Sequence, residues 1–378
     1  MTYADGRTIL DADSHIMELP GWLEGYADPA ERDLLRPLAL GGAGRLADKA
    51  IERAERRKGD ALAAAELEAA LMTAKGWDAL GAFDPAERSR ALDLLGFERQ
   101  LVFATFAFSQ FGGGSPDVVR AGVRAHNRGI AEWCAGDPRL VGVGYVPLDT
   151  PELALDVLDE ALDFGCGALH LPTAAPVDKA PTHPDFDPLW ARIADRGRPV
   201  VLHLGGQGRM IRKTWHNNGR PVTDFLGGGE NVRARDVLMM HIAPELFVST
   251  MIFDGIFDRH PGLMVGVIEQ GAEWVVPWVE RLDRTQRTFR KTEPSIAGLE
   301  LDKASDYVHR NVRITPFVGE RVGWLIDQAG ADLFLFSSDF PHPEGNRDPI
   351  AKFEATMDGV GDEARRAFYH DNLAGLLG

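Results

Sequence analysis

The chain is short of several things, and each shortage narrows what it can be. It has two cysteines in 378 residues, Cys134 and Cys166. That is too few for a disulfide scaffold; Cys134 falls in a helical pattern and Cys166 opens an apolar strand-like run, so two buried thiols in a reducing cytoplasm are expected. Basic residues are outnumbered, 41 Lys and Arg against 57 Asp and Glu, for a formal net charge of −16. This balance argues against nucleic acid or an anionic membrane as the main partner. No basic segment followed by an apolar run stands at the N-terminus, so no signal peptide is expected. No apolar run approaching the ~18 residues of a membrane span is visible. Phosphate-binding glycine fingerprints are also missing: Gly112-Gly113-Gly114 carries no P-loop lysine, and no G-x-G-x-x-G follows an early strand. The rest is ordinary for a globular protein, with 44% hydrophobic and 26% charged residues and ample length for a large core.

What the chain does have is a regular alternation of apolar runs and helical patterns. A first strand, Thr8-Ile9-Leu10, leads into Asp11-Ala12-Asp13-Ser14-His15. A long interruption over 19–98 follows, rich in Ala, Leu, Glu, Lys and Arg, the strong helix formers, with few large apolar residues. Asp84 followed by Pro85 predicts a capped helix to about Leu95. Apolar strands are then predicted at Gln100–Phe108, Leu140–Leu148, Cys166–Pro172, Arg198–Gly205, Leu263–Gly271, Asn311–Pro316 and Asp332–Asp339, nearly all separated by helices. Eight β-then-α units with buried strands imply parallel pairing. The expected fold is an α/β (β/α)8 barrel spanning 1–378 as one domain, with a helical insertion at 19–98 after strand one and extra C-terminal helices.

The strand ends carry polar residues suited to metals. Alternation puts Asp11, Asp13 and His15 on one face of the first strand; read alone, they are either half of a divalent-metal site or a solvated turn. His170 ends the fourth strand, His203 the fifth, Glu269 the sixth and Asp339 the eighth. In a barrel these ends form the active-site face. Packing alone does not explain so many polar residues there, because each would need a buried partner.

At this point the chain resembles a family. Asp13-x-His15 on strand one, Leu202-His203-Leu204-Gly205-Gly206 on strand five and Ser337-Ser338-Asp339-Phe340-Pro341-His342 on strand eight look like the amidohydrolase superfamily. More narrowly, they are similar to the amidohydrolase-related group that includes aminocarboxymuconate-semialdehyde decarboxylase and gamma-resorcylate decarboxylase. Phe186-Asp-Pro-Leu-Trp190, Phe257-Asp-Arg-His-Pro-Gly-Leu263 and Glu269-Gln-Gly-Ala-Glu-Trp274 support the resemblance. It implies one divalent metal ion, Zn²⁺ or Mn²⁺, held by Asp13, His15, His203 and Asp339. Many relatives have His-x-His on strand one; a carboxylate at Asp13 hardens the site and makes Mn²⁺ a competitor. Several carry a catalytic histidine on strand six, where this chain has Glu269, and His241 is the nearest substitute. Strand four ends in His170 rather than lysine, against a carbamylated-lysine binuclear site. Oligomers are common among relatives.

Such a metal can hold a carboxylic acid for C–C cleavage, or activate water for attack on a carbonyl. The resemblance favours a decarboxylase or C–C lyase acting on a small aromatic or unsaturated carboxylic acid, with Asp339 handling the proton and His241 and Glu269 assisting. The alternatives are a hydrolase of amide, lactone or related bonds, and a non-catalytic barrel stabilised by its metal. His170, Arg209, Arg212, Trp215, His342 and Glu344 are the candidates for substrate contact.

Overall fold

Strands buried on both faces need apolar residues on both, and the unbroken apolar runs of this chain become parallel strands for that reason. The computed structural model describes residues 2–174, 178–205, 213–220 and 233–378. Its strands are β1 (Leu10–Ile16), β2 (Arg99–Ala104), β3 (Leu140–Tyr145), β4 (Ala168–His170), β5 (Val200–His203), β6 (Val265–Ile268) and β7 (Val312–Ile314). They pair in parallel in sequence order. The eighth expected strand is irregular but bonded on both sides. Towards β7, Ile314 N–H donates to Leu333 O at 2.8 Å and Leu335 N–H to Ile314 O at 2.9 Å. Towards β1, Ala12 N–H donates to Phe336 O at 3.0 Å and Asp339 N–H to Asp13 O at 2.9 Å. This segment joins the two edges of the sheet.

Side chains from successive strands fill the interior. Leu10, Ala12, Leu101, Phe103, Val143, Ala168, Val201, Ile268 and Leu335 form one buried cluster, joined by Leu373, Leu376 and Leu377 of the C-terminal helix Asn372–Leu377. Leu377 lies with Arg99, Leu140 and Gly167 near the strand starts, so this helix covers the end away from the polar strand ends. Outside, helices such as Pro116–Cys134 and Pro151–Phe164 begin with a side-chain cap, Ser115 and Thr150 respectively, followed by proline. Asp84 accepts from Ala86 N–H at 2.9 Å and Glu87 N–H at 3.0 Å, and Thr150 accepts from Leu153 N–H at 3.2 Å. Cys134 and Cys166 are buried and free.

The expected shared face of Asp11, Asp13 and His15 is corrected. Between Asp11 and Ser14 the register on β1 shifts relative to Gln100 and Val102 of β2. One extra residue on β1 makes a bulge, which switches the face of every residue beyond it. Asp11 consequently sits on the helix side, where Gln100 Nε2 donates to it at 2.8 Å and Ser338 donates through N–H at 2.8 Å and Oγ at 2.6 Å. Burial pushes the Asp11 carboxyl up to about 7, against those hydrogen bonds. Its role is to tie β1 to the eighth segment, as a supporting carboxylate.

The same outer layer holds a fully buried Arg88 from the helix Pro85–Leu95. Its guanidinium donates to His15 O, to Gly81 O at 2.9 Å, and to Gln100 Oε1 at 3.4 Å. It also lies 5.0 Å from the Phe340 ring centre and 5.3 Å from that of Trp133. Truncating it would strand several buried acceptors at once. Arg88→Ala is expected to cost roughly 3 kcal/mol, read as a lower denaturation midpoint with an unchanged slope.

The interruption is helical in part, with Gly44–Arg57, Ala61–Ala69 and Pro85–Leu95 as its main helices. The absence of any span-length apolar run has one exception. Ala234–Phe253 passes by length and composition, but a turn at Met240 and His241 divides it into Ala234–Met239 and Ile242–Phe253. The second helix buries Phe247, Val248, Met251 and Ile252.

Candidate metal centre

Parallel strands starting at one end deliver their last residues to the other, and there five side chains converge. His15 Nε2 lies 3.1 Å from Asp13 Oδ1 and 3.7 Å from Asp339 Oδ1. His203 Nε2 lies 3.3 Å from Asp13 Oδ1 and 3.4 Å from Glu269 Oε2. The ligand atoms of Asp13, His15, His203 and Glu269 all fall within 4.8 Å of one another. Asp13, His15 and His203 are buried, whereas the Asp339 side chain keeps 19% exposure towards the cleft.

The donor pattern fits a cation. His203 Nδ1 faces its acceptor, Leu204 O, at 2.8 Å, and His15 Nδ1 faces Ala104 O at 3.4 Å. Each backbone carbonyl holds the neutral ring as the Nδ1–H tautomer. Both Nε2 lone pairs then point at carboxylate oxygens, an arrangement that repels unless a positive charge lies between. Burial and the neighbouring His342 push the His15 imidazole down to about 4, which keeps its lone pair available at neutral pH. Burial raises the Asp13 carboxyl, but His203 and His15 outweigh it and hold it below the usual carboxylate range.

Two of the carboxylates are aimed by unusual backbone. Glu269 has φ +57° and Asp339 φ +52°, the left-handed region that costs a non-glycine residue about 1 kcal/mol or more. Each is held there: Glu269 N–H donates to Thr315 Oγ1 at 2.8 Å, and Asp339 N–H to Asp13 O at 2.9 Å. These turns swing both carboxylates towards the histidines.

The remaining expected residues divide. Glu344 lines the cleft beside Asp339. His342, expected as a partner of Asp339 or at the substrate, is buried behind Asp339. Its Nδ1 is 2.9 Å from Asp339 Oδ1, its Nε2 is 2.8 Å from Thr105 Oγ1, and its ring stacks on His15 at 3.7 Å. Thr105 is in turn fixed by donating to Ile16 O at 2.7 Å. His342→Phe keeps the stacking surface and removes both polar contacts, so turnover is expected to fall tenfold to a hundredfold while metal content, measured by elemental analysis, is unchanged.

His170 is also buried and is not among the cleft-lining residues. Its ring packs edge-on to Tyr145, Phe108 and His203 at 5.3, 5.1 and 5.9 Å. Burial, with His203 and His126 nearby, pushes its imidazole well below the ordinary value, so it is a neutral wall residue. His241 stands at the start of the helix Ile242–Phe253, stacked on Trp274 at 6.0 Å, and is not in the ligand-distance group. Trp215 is 69% exposed on the short turn Lys213–His216. Arg209 and Arg212 lie outside the described residues. Sequence reading missed Thr105 and Glu18, whose carboxylate accepts N–H groups from Thr105, Phe106 and Ala107 at 2.9–3.1 Å; nothing local in the sequence links residues so far apart.

The cleft above the cluster has a volume of about 430 Å³, within the range of small-molecule sites. Its lining is acidic at Asp13, Glu269, Asp339 and Glu344, and apolar at Met240, Pro316, Phe317 and Val318.

A family model described as amidohydrolase matches residues 11–378. None of the curated proteins matches. Among solved structures, an amidohydrolase of Mycobacterium avium subsp. paratuberculosis K-10 is 22% identical, with a TM-score of 0.72, covering 99% of this chain and 98% of that one. The 5-carboxyvanillate decarboxylase LigW of Sphingomonas paucimobilis is 18% identical, with a TM-score of 0.61 and 98% of each chain covered. A dihydroxybenzoic acid decarboxylase of Polaromonas sp. JS666, solved with manganese and 2-nitroresorcinol, is 17% identical, with a TM-score of 0.63, covering 98% of this chain and 97% of that one. At such identities the likeness establishes the fold.

Proposed function

The chain belongs to the amidohydrolase family, and from that premise we propose that it is a metal-dependent decarboxylase or C–C lyase of a small aromatic or unsaturated carboxylic acid. The observation that carries the reading is the arrangement of Asp13, His15, His203 and Glu269 around one point, with Asp339 beside it and open to the cleft. Three carboxylates and two imidazoles form a hard, anionic donor set, suited to Mn²⁺ and able to take Zn²⁺. Manganese in the Polaromonas neighbour supports that choice. Asp13, His15, His203 and Asp339 would hold the ion, with Glu269, at the position where several relatives carry a catalytic histidine, as a further oxygen ligand.

When bound, the ion would neutralise the clustered carboxylates and draw the oxygens of an acid into the cleft. The protein's own groups do the rest. Phe317 and Met240 offer apolar surface to an unsaturated ring. As the bond to the carboxylate breaks, the electron pair stays on the ring carbon and CO₂ leaves. Asp339 in its acid form gives its proton to that carbon, and His342 holds the carboxyl in place through Oδ1.

Hydrolysis of an amide or lactone is the second reading, favoured by the amidohydrolase neighbour of TM-score 0.72; there Asp339 would take a proton from the attacking water and pass it to the leaving group. Screening aromatic hydroxy-acids for CO₂ release, alongside lactones and amides, separates the two. CO₂ from a hydroxy-acid is expected, and hydrolysis without CO₂ overturns the first reading.

A further inference from the structure

A carboxylic acid entering this cleft meets four acidic side chains, Asp13, Glu269, Asp339 and Glu344, and no lysine or arginine among the described lining residues. One divalent ion offsets only part of that charge. The nearest structural answer comes from the insertion, whose segment Lys75-Gly76-Trp77 crosses the loop after the eighth strand segment. Gly76 N–H donates to Pro341 O at 2.7 Å. Gly76 has φ +60°, a left-handed conformation that suits glycine. Trp77 stacks on Phe106 at 5.1 Å and 3°, and its Nε1–H donates to Glu18 O at 3.3 Å. The turn is thus pinned to the loops after strands one, two and eight.

Lys75 is carried by this turn. Its Nζ donates to Asn346 O at 3.1 Å, and Asn346 lines the cleft. An ammonium group has three donors; one is used here, and among the described residues Lys75 makes no ion pair within 4 Å. The side chain is half-buried. Burial lowers its pKa, opposed by Asp339 and Glu344 and aided by Arg347. A half-buried ammonium held next to the cleft-lining Asn346 has donors to spare for an arriving anion.

We propose that Lys75 is the carboxylate-binding residue at the mouth of the cleft, supplied by the insertion, and that it selects ionised acids over neutral analogues of the same shape. This rests on the acid-substrate reading above. The interruption at 19–98 then has a functional part: it positions a cation that the described lining of the cleft does not contain.

The test uses the full chain loaded with Mn²⁺, titrated calorimetrically with 2,6-dihydroxybenzoate, 2-hydroxybenzoate and benzoate, and with resorcinol as the analogue lacking a carboxylate. Lys75→Met is expected to weaken binding of the acids roughly tenfold to a hundredfold, with resorcinol affinity, Mn²⁺ content and thermal midpoint unchanged. Lys75→Arg is expected to recover most of the loss. Equal weakening of acid and resorcinol overturns the assignment, as does a Lys75→Met protein that matches the wild type. A wild type that binds and decarboxylates an acid while Lys75→Met does so equally well overturns this inference alone. A wild type that binds none of the acids overturns it together with the acid-substrate reading.

Discussion

Asp339→Asn is expected to lower kcat by roughly a thousandfold or more while a substantial fraction of the metal stays bound. Asparagine keeps the shape of the side chain and one oxygen able to face an ion, but it cannot carry the proton. The left-handed backbone at Asp339, with its N–H on Asp13 O, should tolerate the change, since asparagine enters that region more readily than most residues. The same placement is why we propose this carboxylate, rather than Asp13, as the proton carrier: Asp13 is enclosed by two imidazoles, whereas Asp339 faces both His342 and the cleft. Turnover by CO₂ release and metal content by elemental analysis should be measured on one preparation. A variant that retains turnover removes Asp339 as the proton carrier.

Removing the metal is expected to take turnover to background and to lower the thermal midpoint by several degrees. Without an ion, the Nε2 atoms of His15 and His203 face carboxylate oxygens at 3.1–3.4 Å. With free metal at about 100 times its Kd, binding to the folded state alone adds about 2.7 kcal/mol. Adding back Mn²⁺ should restore both properties. Asp13→Ala should reproduce the loss of metal, because Asp13 Oδ1 is the oxygen that both histidines approach. A protein that turns over without metal and ignores a chelator would exclude the metal-dependent reading and leave Asp339 to be explained without it.

The legibility of this protein differed by residue. His203 and Asp339 could be read as strand-end ligands because each follows an apolar strand, and a parallel sheet sends all such ends to one face. Glu269 could be seen in the same way, but its approach to His203 depends on a left-handed turn that has no sequence marker other than the following Gln-Gly. Asp11 was misplaced because strict alternation has no means of anticipating a bulge. His342 sits three residues beyond Asp339 in a proline-flanked loop; only the contact with Thr105 shows that it turns inward, behind the carboxylate.

By itself, the sequence determined the order of strands and helices, the cap at Asp84, and the set of residues available at the strand ends. Those follow from local periodicity and from short-range hydrogen bonding, which act over a few residues. Tertiary structure alone decided which face Asp11 takes, that Arg88 ties the insertion to β1, and that Lys75 bonds to the cleft-lining Asn346. These depend on contacts between segments hundreds of residues apart, whose geometry is settled by how the whole core packs.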